Sequence, residues 1–351
     1  MACRVAYLGA SVTVQKDGYR PHLHEWLVRT YGQAHQAINA GFGGVGSISG
    51  VFTMGEQVAH LHPHLCFIEF SSGDMAGKTP LCEIGPVLEG MVRKLAAIGC
   101  QPCFLYLYRR DQTFSDSNPV LREYEKVAEH YGIPSINIGR LIEAMITNGD
   151  LRAEDIVKDM VHTTVKGSEV TVAGIAQALN SFFQIPTISL ESILVKPIMY
   201  ARNYENTEIV PVDTTMLKDS THCKATRFRL TYPLIEIDST NEVRCQLSGE
   251  LVGLLVVVGP DSGFIKVESN ETIDEYLLWD EWCHYYRIQT VILQNPIKAG
   301  EFIGVRPIEK ELDFALTRDA NDNPNPIKKR LKLVGFLVRK DNSSHITRIL
   351  S

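Results

Sequence analysis

No stretch of this 351-residue chain approaches the roughly 18–20 consecutive apolar residues needed to cross a bilayer, so no spanning helix is expected. Basic charge is not in excess either. The formal net charge is -6 and no Lys/Arg stripe is visible, which removes the electrostatic case for nucleic acid. The N-terminus runs almost at once into a strand pattern, without a basic segment, an apolar segment and a cleavage site, and a cytoplasmic location is the expectation. The eight cysteines lack a framework spacing, which suits reduced thiols. Their one close pair is Cys100-Gln101-Pro102-Cys103. A redox or zinc role would want a second CxxC, which is missing, and Cys103 opens an apolar run, so buried structural thiols are the favoured reading. The first strand is not followed by GxGxxG, and no glycine-rich loop is followed by Lys-Ser/Thr, so neither a dinucleotide fold nor a phosphate loop is indicated. Internal repeats and low-complexity tracts are absent.

The composition that remains, 44% hydrophobic and 22% charged, is that of a globular chain long enough for two cores. Arg4 to Leu8 reads as a buried strand ending in Gly9, and this places Ser11 where a strand turns toward a helix. A helix over residues 20–31, a short strand Ala37–Asn39, and a loop with four glycines at 41, 43, 44 and 46 come next. Backbone N–H groups of such a loop can serve as oxyanion donors, and a plain tight turn fits as well. A third strand, Leu65–Phe70, ends in Ser71-Ser72-Gly73-Asp74. A helix carrying Leu88, Met91, Val92 and Leu95, a strand Phe104–Tyr108, a helix Leu121–Tyr131 and a strand Ile133–Ile138 complete the series. Strands alternating with helices at this interval predict a doubly wound parallel sheet. Asp159-Met160-Val161-His162 falls in the loop after the last strand, ahead of a helix from about Gly167 to Phe183 that ends near Pro186.

An Asp three residues before a His can orient the imidazole while the other ring nitrogen faces a hydroxyl, the arrangement that activates a serine. In a parallel sheet the strand ends share one rim. Ser11, the glycine loop, the Ser72–Asp74 turn and Arg109 after the fourth strand would therefore gather beside Asp159 and His162. Ser72, Asp74 and Arg109 are the candidate substrate contacts, with a solvated loop as the plainer reading of Arg109.

After Pro186 the pattern changes to short β-rich runs at 234–237, 253–258, 264–267, 290–293, 302–305 and 331–338, punctuated by Gly, Pro, Asn and Asp. That predicts an all-β sandwich or jelly roll over 187–351 behind an α/β domain over 1–186. Asp319 to Pro326 reads as an exposed loop. His60, His62 and His64 have no acidic or Cys partner nearby, and His22 and His24 fall on opposite sides of a helix, so no metal site is expected. Trp279, Trp282, Tyr285 and Tyr286 could form a sugar-stacking platform, but packing is favoured because alternate residues of a strand face inward.

Gly9-Ala10-Ser11-Val12-Thr13 resembles the GDS-type first block of the SGNH (GDSL-like) hydrolases. Asn39-Ala40-Gly41-Phe42-Gly43-Gly44 is similar to their second block, and Asp159 to His162 with Gly167 to their last. The resemblance covers roughly residues 3–185. It implies an α/β/α sandwich of flavodoxin type and ester hydrolysis without a cofactor. Ser11 would be the nucleophile, His162 the general base and Asp159 its orienting partner, with backbone N–H groups of Ser11 and Gly44 for the oxyanion. Two positions depart from the pattern. Ala10 stands for a family Asp that makes no bond. Gly73 stands for the Asn that supplies a side-chain oxyanion donor, a loss typically worth on the order of 10²–10³ in rate. Residues 259–263, 280–287 and 299–301 resemble, more loosely, β-sandwich modules of carbohydrate-active members.

The resemblance thus implies a serine esterase removing a small acyl group, acetyl first, from a carbohydrate or glycoconjugate through an acyl-enzyme. The alternatives are a sugar O-acyltransferase and a non-catalytic carbohydrate-binding protein. Transfer to an added sugar in preference to water would mark the first, and sugar binding without any esterase activity the second. Self-association is left open.

Overall fold

A computed structural model of the chain describes residues 3–32, 36–182, 189–212, 221–227, 230–280, 282–310 and 330–340. The chain divides into two compact units, Met1–Glu205 and Asn206–Ser351.

The first unit is built on five parallel strands: β1 (Arg4–Gly9), β2 (Gln36–Gly41), β3 (Leu65–Glu69), β4 (Gln101–Tyr106) and β5 (Ser135–Asn137), in the order β2-β1-β3-β4-β5. The parallel sheet is the one the alternating pattern predicts, and its order is the flavodoxin-type order that the resemblance implies. The strands read as continuous apolar runs because both sheet faces are covered; Val5 to Leu8, Cys66 to Ile68 and Cys103 to Tyr106 are buried. The connecting helices are α1 (Ser11–Val14), α2 (Tyr19–Tyr31), α3 (Ser47–Gln57), α4 (Ser71–Asp74), α5 (Leu81–Ala97), α6 (Pro119–Tyr131), α7 (Ile138–Thr147), α8 (Ala153–Ile156), α9 (Val165–Phe182) and α10 (Leu190–Val195). They pack as two groups, α2 and α7 with α9, and α3 and α6 with α5. Asn118 caps α6 by accepting from the N–H groups of Val120 and Leu121, with Pro119 at its first position.

The expected last strand, Ile133–Ile138, is only three residues long, and its end is the start of α7, capped by Asn137. Helices α7 and α8, not expected from the sequence, therefore stand between the sheet and Asp159. Cys100 and Cys103 are free and buried, and burial pushes the Cys100 thiol up to about 12, which leaves both inert as packing groups.

The first unit continues past 186, where the composition shifts, because the segment up to Glu205 is bonded to α5. The Glu89 carboxylate, fully buried, accepts from Tyr131 Oη at 2.5 Å, from the backbone N–H of Met199 at 2.6 Å and of Tyr200 at 2.9 Å, and from Asn203 Nδ2 at 3.3 Å. Arg93 pairs with Glu205 at 2.6 Å.

The second unit holds strands β6 (Thr207–Pro211), β7 (Thr221–Arg227), β8 (Leu230–Ile237), β9 (Val243–Gln246), β10 (Glu250–Val258), β11 (Phe264–Glu268), β12 (Ile273–Leu277), β13 (Arg287–Ile297), β14 (Phe302–Ile308) and β15 (Leu331–Arg339). They form two antiparallel sheets, β13-β10-β15-β8-β7 with β6 also on β15, and β12-β11-β14-β9. Leu254, Val256, Leu333 and Phe336 from the first sheet and Ile265, Val267, Ile303 and Val305 from the second share one core, so the unit is the expected β-sandwich. Residues 319–326 lie outside the described residues. The four aromatic residues all lie in the turn between β12 and β13 rather than on a strand: Trp279 packs against the core, while Trp282, Tyr285 and Tyr286 are 44%, 49% and 57% exposed, the Tyr286 ring lying against Gly259 with Lys332 Nζ 4.8 Å from its centre.

Candidate active site

Four strand ends build the rim. At the first, β1 stops at Gly9 and the chain turns within two residues into α1. A side chain at Gly9 is excluded: its Cβ would lie 2.3 Å from Thr13 Oγ1 and 2.5 Å from the Glu69 carbonyl oxygen. The close approach lets Ala10 donate its N–H to Glu69 O at 2.9 Å and leaves Ser11, half-buried, as the first residue of α1.

His162 meets it from the segment between α8 and α9. Its Nε2 lies 2.9 Å from Ser11 Oγ, and its Nδ1 lies 2.8 Å from Asp159 Oδ2. The other Asp159 oxygen accepts the backbone N–H groups of Val161 and His162, both at 2.8 Å. Burial raises the Asp159 pKa, but those two N–H groups and the imidazole more than reverse it, so the carboxyl sits below its ordinary range and is ionised near neutrality. An ionised Asp159 selects the tautomer with the proton on Nδ1 and leaves Nε2 as the acceptor facing the hydroxyl. The turn carrying the pair is itself closed, by a bridge between Val157 and Thr163 and by Lys158 N–H donating to His162 O at 2.9 Å. Ser11, Asp159 and His162, read from the sequence, are thus brought together.

The glycine loop after β2 comes to the same place. Gly43 is the loop residue lying against Ser11, its Cβ site 3.9 Å from the serine Cβ, and the exposed Gly44 follows with φ 77°. Among the described residues the N–H groups of Ser11, Gly43 and Gly44 donate to no protein acceptor. Gly43 was not singled out by the sequence, where its neighbour carried the expectation.

The three expected substrate contacts are engaged in scaffolding instead. Asp74 is buried; Oδ1 accepts from Thr79 Oγ1 at 2.6 Å and Ser47 N at 2.8 Å, and Oδ2 from Tyr124 Oη at 2.7 Å. Burial raises its pKa, and these bonds only partly offset the rise. Arg109 is 8% exposed, grips Asp111 through Nε at 3.0 Å and Nη2 at 2.8 Å, and donates Nη1 to the Ser72 carbonyl at 3.0 Å. Ser72 is 3% exposed and gives its N–H to Glu69 Oε1 at 3.2 Å. Glu69 is wholly enclosed under the serine turn, with Oε2 3.4 Å from Thr13 Oγ1, and burial pushes its carboxyl up to about 8. Its place at the strand end was legible; its burial was not.

Gly73, where the resembled family has Asn, cannot accept that residue. A Cβ there would lie 2.1 Å from the carbonyl oxygen of Val45, a backbone atom. Gly73→Asn is therefore expected to cost about 2–3 kcal/mol through overpacking, roughly 5–10 °C in Tm, and to bring no gain in hydrolysis. Thermal melts with initial-rate measurements check this. A folded, faster variant would show that the loop yields.

Among the described residues no group of three or more His, Cys, Asp or Glu could hold a metal ion. His64 Nδ1 instead accepts the Arg4 N–H at 3.0 Å, fixing the start of β1. No described helix is long and apolar enough to cross a membrane.

No family model matches the chain. No curated protein matches it. Solved structures do. A two-domain esterase active on acetylated mannans, co-crystallised with mannopentaose, is similar over 97% of this chain and 91% of its own, with a TM-score of 0.73 at 17% identity. A further structure of a two-domain esterase active on acetylated mannans covers 97% and 92%, with a TM-score of 0.70 at 16% identity. Both units therefore have the folds found together in those proteins.

Proposed function

We propose that the chain is a serine esterase that removes a small acyl group, acetyl first, from a carbohydrate ester. The observation that carries this is the unbroken line Ser11 Oγ–His162 Nε2 at 2.9 Å and His162 Nδ1–Asp159 Oδ2 at 2.8 Å. The likeness of fold to esterases active on acetylated mannans supports a polysaccharide ester as substrate.

In this reading Ser11 Oγ attacks the ester carbonyl as its proton passes to His162 Nε2, and the imidazolium formed is stabilised by Asp159. The oxyanion is held by the N–H groups of Ser11 and of the Gly43-Gly44 loop, without a side-chain amide. Collapse breaks the bond to the sugar oxygen, which takes the proton from Nε2 and leaves as an alcohol. Water then gives its proton to Nε2 and attacks the acyl-Ser11, and the proton returns to Ser11 Oγ as the carboxylic acid departs. Metal and organic cofactors have no role in these steps.

The test combines acetate release with a covalent probe. Incubation with acetylated manno-oligosaccharides is expected to release acetate, and a fluorophosphonate is expected to lose fluoride to form one adduct, mapped by mass spectrometry to Ser11. No acetate from any acetylated sugar together with no adduct at Ser11 would overturn the proposal.

A further inference from the structure

The nucleophile and the base lie 151 residues apart, on segments joined by no strand ladder, so something must fix their spacing. Gln15, the first residue past α1, is bonded to both. Its backbone N–H donates to the Ser11 carbonyl at 3.0 Å. Its side-chain amide faces the peptide groups of Thr163, the residue directly after His162: Nε2 donates to Thr163 O at 2.7 Å and Oε1 accepts Thr163 N–H at 3.1 Å. Partner chemistry fixes this amide orientation, because flipping it would set donor against donor and acceptor against acceptor. Thr163 is 5% exposed, so water has poor access to replace either bond.

The other links between the two segments are weaker or more remote. Lys158 and Asp17 pair at 3.5 Å with both side chains about half exposed (49% and 56%), an arrangement of little energetic weight. Ser168 Oγ donates to Asp17 O at 3.0 Å, six residues beyond His162. The turn that carries Asp159 and His162 is closed on itself, so the dyad keeps its internal geometry whatever holds the turn. Arg110, after β4, also ties the turn to the sheet rim by donating its N–H to Met160 O at 2.9 Å, so what remains to be set is the placement of the turn against α1.

We propose that Gln15 is a positioning residue that sets the Ser11–His162 distance, acting through the Thr163 backbone. The inference rests on Ser11 and His162 working as nucleophile and base. A displacement of about 1 Å in such a pair costs on the order of 10²-fold in rate.

The experiment compares Gln15→Met, which keeps the volume and loses both bonds, with Gln15→Glu, which keeps the acceptor and loses the donor. Deacetylation kinetics, the low-field NMR resonance of the His162 Nδ1 proton and Tm are read on the full chain. Both variants are expected to lose kcat by about 10–100-fold with KM within roughly twofold, and fluorophosphonate labelling of Ser11 slows in step. The His162 resonance is retained and Tm falls by only a few degrees. Folded variants with unchanged kcat overturn the proposal, as does loss of kcat only together with the His162 resonance, which would mark a structural role. A wild type that neither labels at Ser11 nor hydrolyses removes the esterase reading and this inference together; a wild type that does both, matched by its Gln15 variants, removes this inference alone.

Discussion

Ser11→Ala is expected to lower kcat for deacetylation by about 10⁴–10⁶-fold while leaving Tm and the affinity for the oligosaccharide essentially unchanged. The replacement removes a single oxygen from the half-buried first residue of α1, where alanine is readily accommodated. No core contact is lost, and the Ser11 backbone N–H, with its part in the oxyanion site, survives. What disappears is the atom that, in the proposed mechanism, accepts the acyl group. Water would have to attack from the space that Oγ vacates, assisted only by His162 and the backbone donors, and such stripped sites retain a residual rate of about 10³–10⁴ over uncatalysed hydrolysis. Acetate release by wild type and variant at matched concentrations is the measurement. Equal rates, or a loss under tenfold, would exclude Ser11 as nucleophile and point to a different attacking group; no acetate release by either protein, with sugar binding retained, would revive the sugar-binding reading of the fold.

The parts of this site that were legible from the residues are those where local chemistry has few competing uses. Buried parallel strands declare themselves as apolar runs, so β1, β3 and β4 and the rim they end on could be placed. An Asp three residues before a His, after the last strand and opposite a serine turn, has a specific geometric meaning. Other parts depend on partners far away in sequence. Asp74 looks like a rim carboxylate until Tyr124 and Thr79 are seen to consume its oxygens. Arg109 looks like an anion contact until Asp111 and the Ser72 carbonyl occupy it. Gly73 could be noticed as a missing Asn, but not that the Val45 carbonyl forbids one. A three-residue β5 running straight into α7 gives too short a period to separate strand from helix. Gln15 carries no signal at all, because its partner is backbone and backbone has no sequence.

Asp159→Asn is expected to cost about 10⁴-fold in kcat with the fold intact, and the reason is a proton rather than a shape. The amide oxygen can still accept from the Val161 and His162 N–H groups, so the turn holds its form. The amide NH₂ then faces His162 Nδ1, where the carboxylate stood. A donor at that point drives the imidazole proton from Nδ1 to Nε2, and Nε2–H meets Ser11 Oγ as a donor, unable to take the proton that attack must release. The pH profile separates this from simple loss of charge. A carboxyl whose folded pKa is depressed contributes its stabilisation above the unfolded pKa and loses it only as pH falls through the folded value, so Asp159 remains charged down to below its ordinary range. In the wild type the Asp159 charge therefore persists through neutral pH and does not limit the rate there. In Asp159→Asn the rate is expected to climb again at alkaline pH, where hydroxide can remove the misplaced proton. Rate profiles from acid to alkaline pH, with NMR assignment of the His162 tautomer, check both halves. A variant that keeps more than a tenth of wild-type kcat at neutral pH, with its imidazole proton still on Nδ1, would remove Asp159 from the catalytic unit.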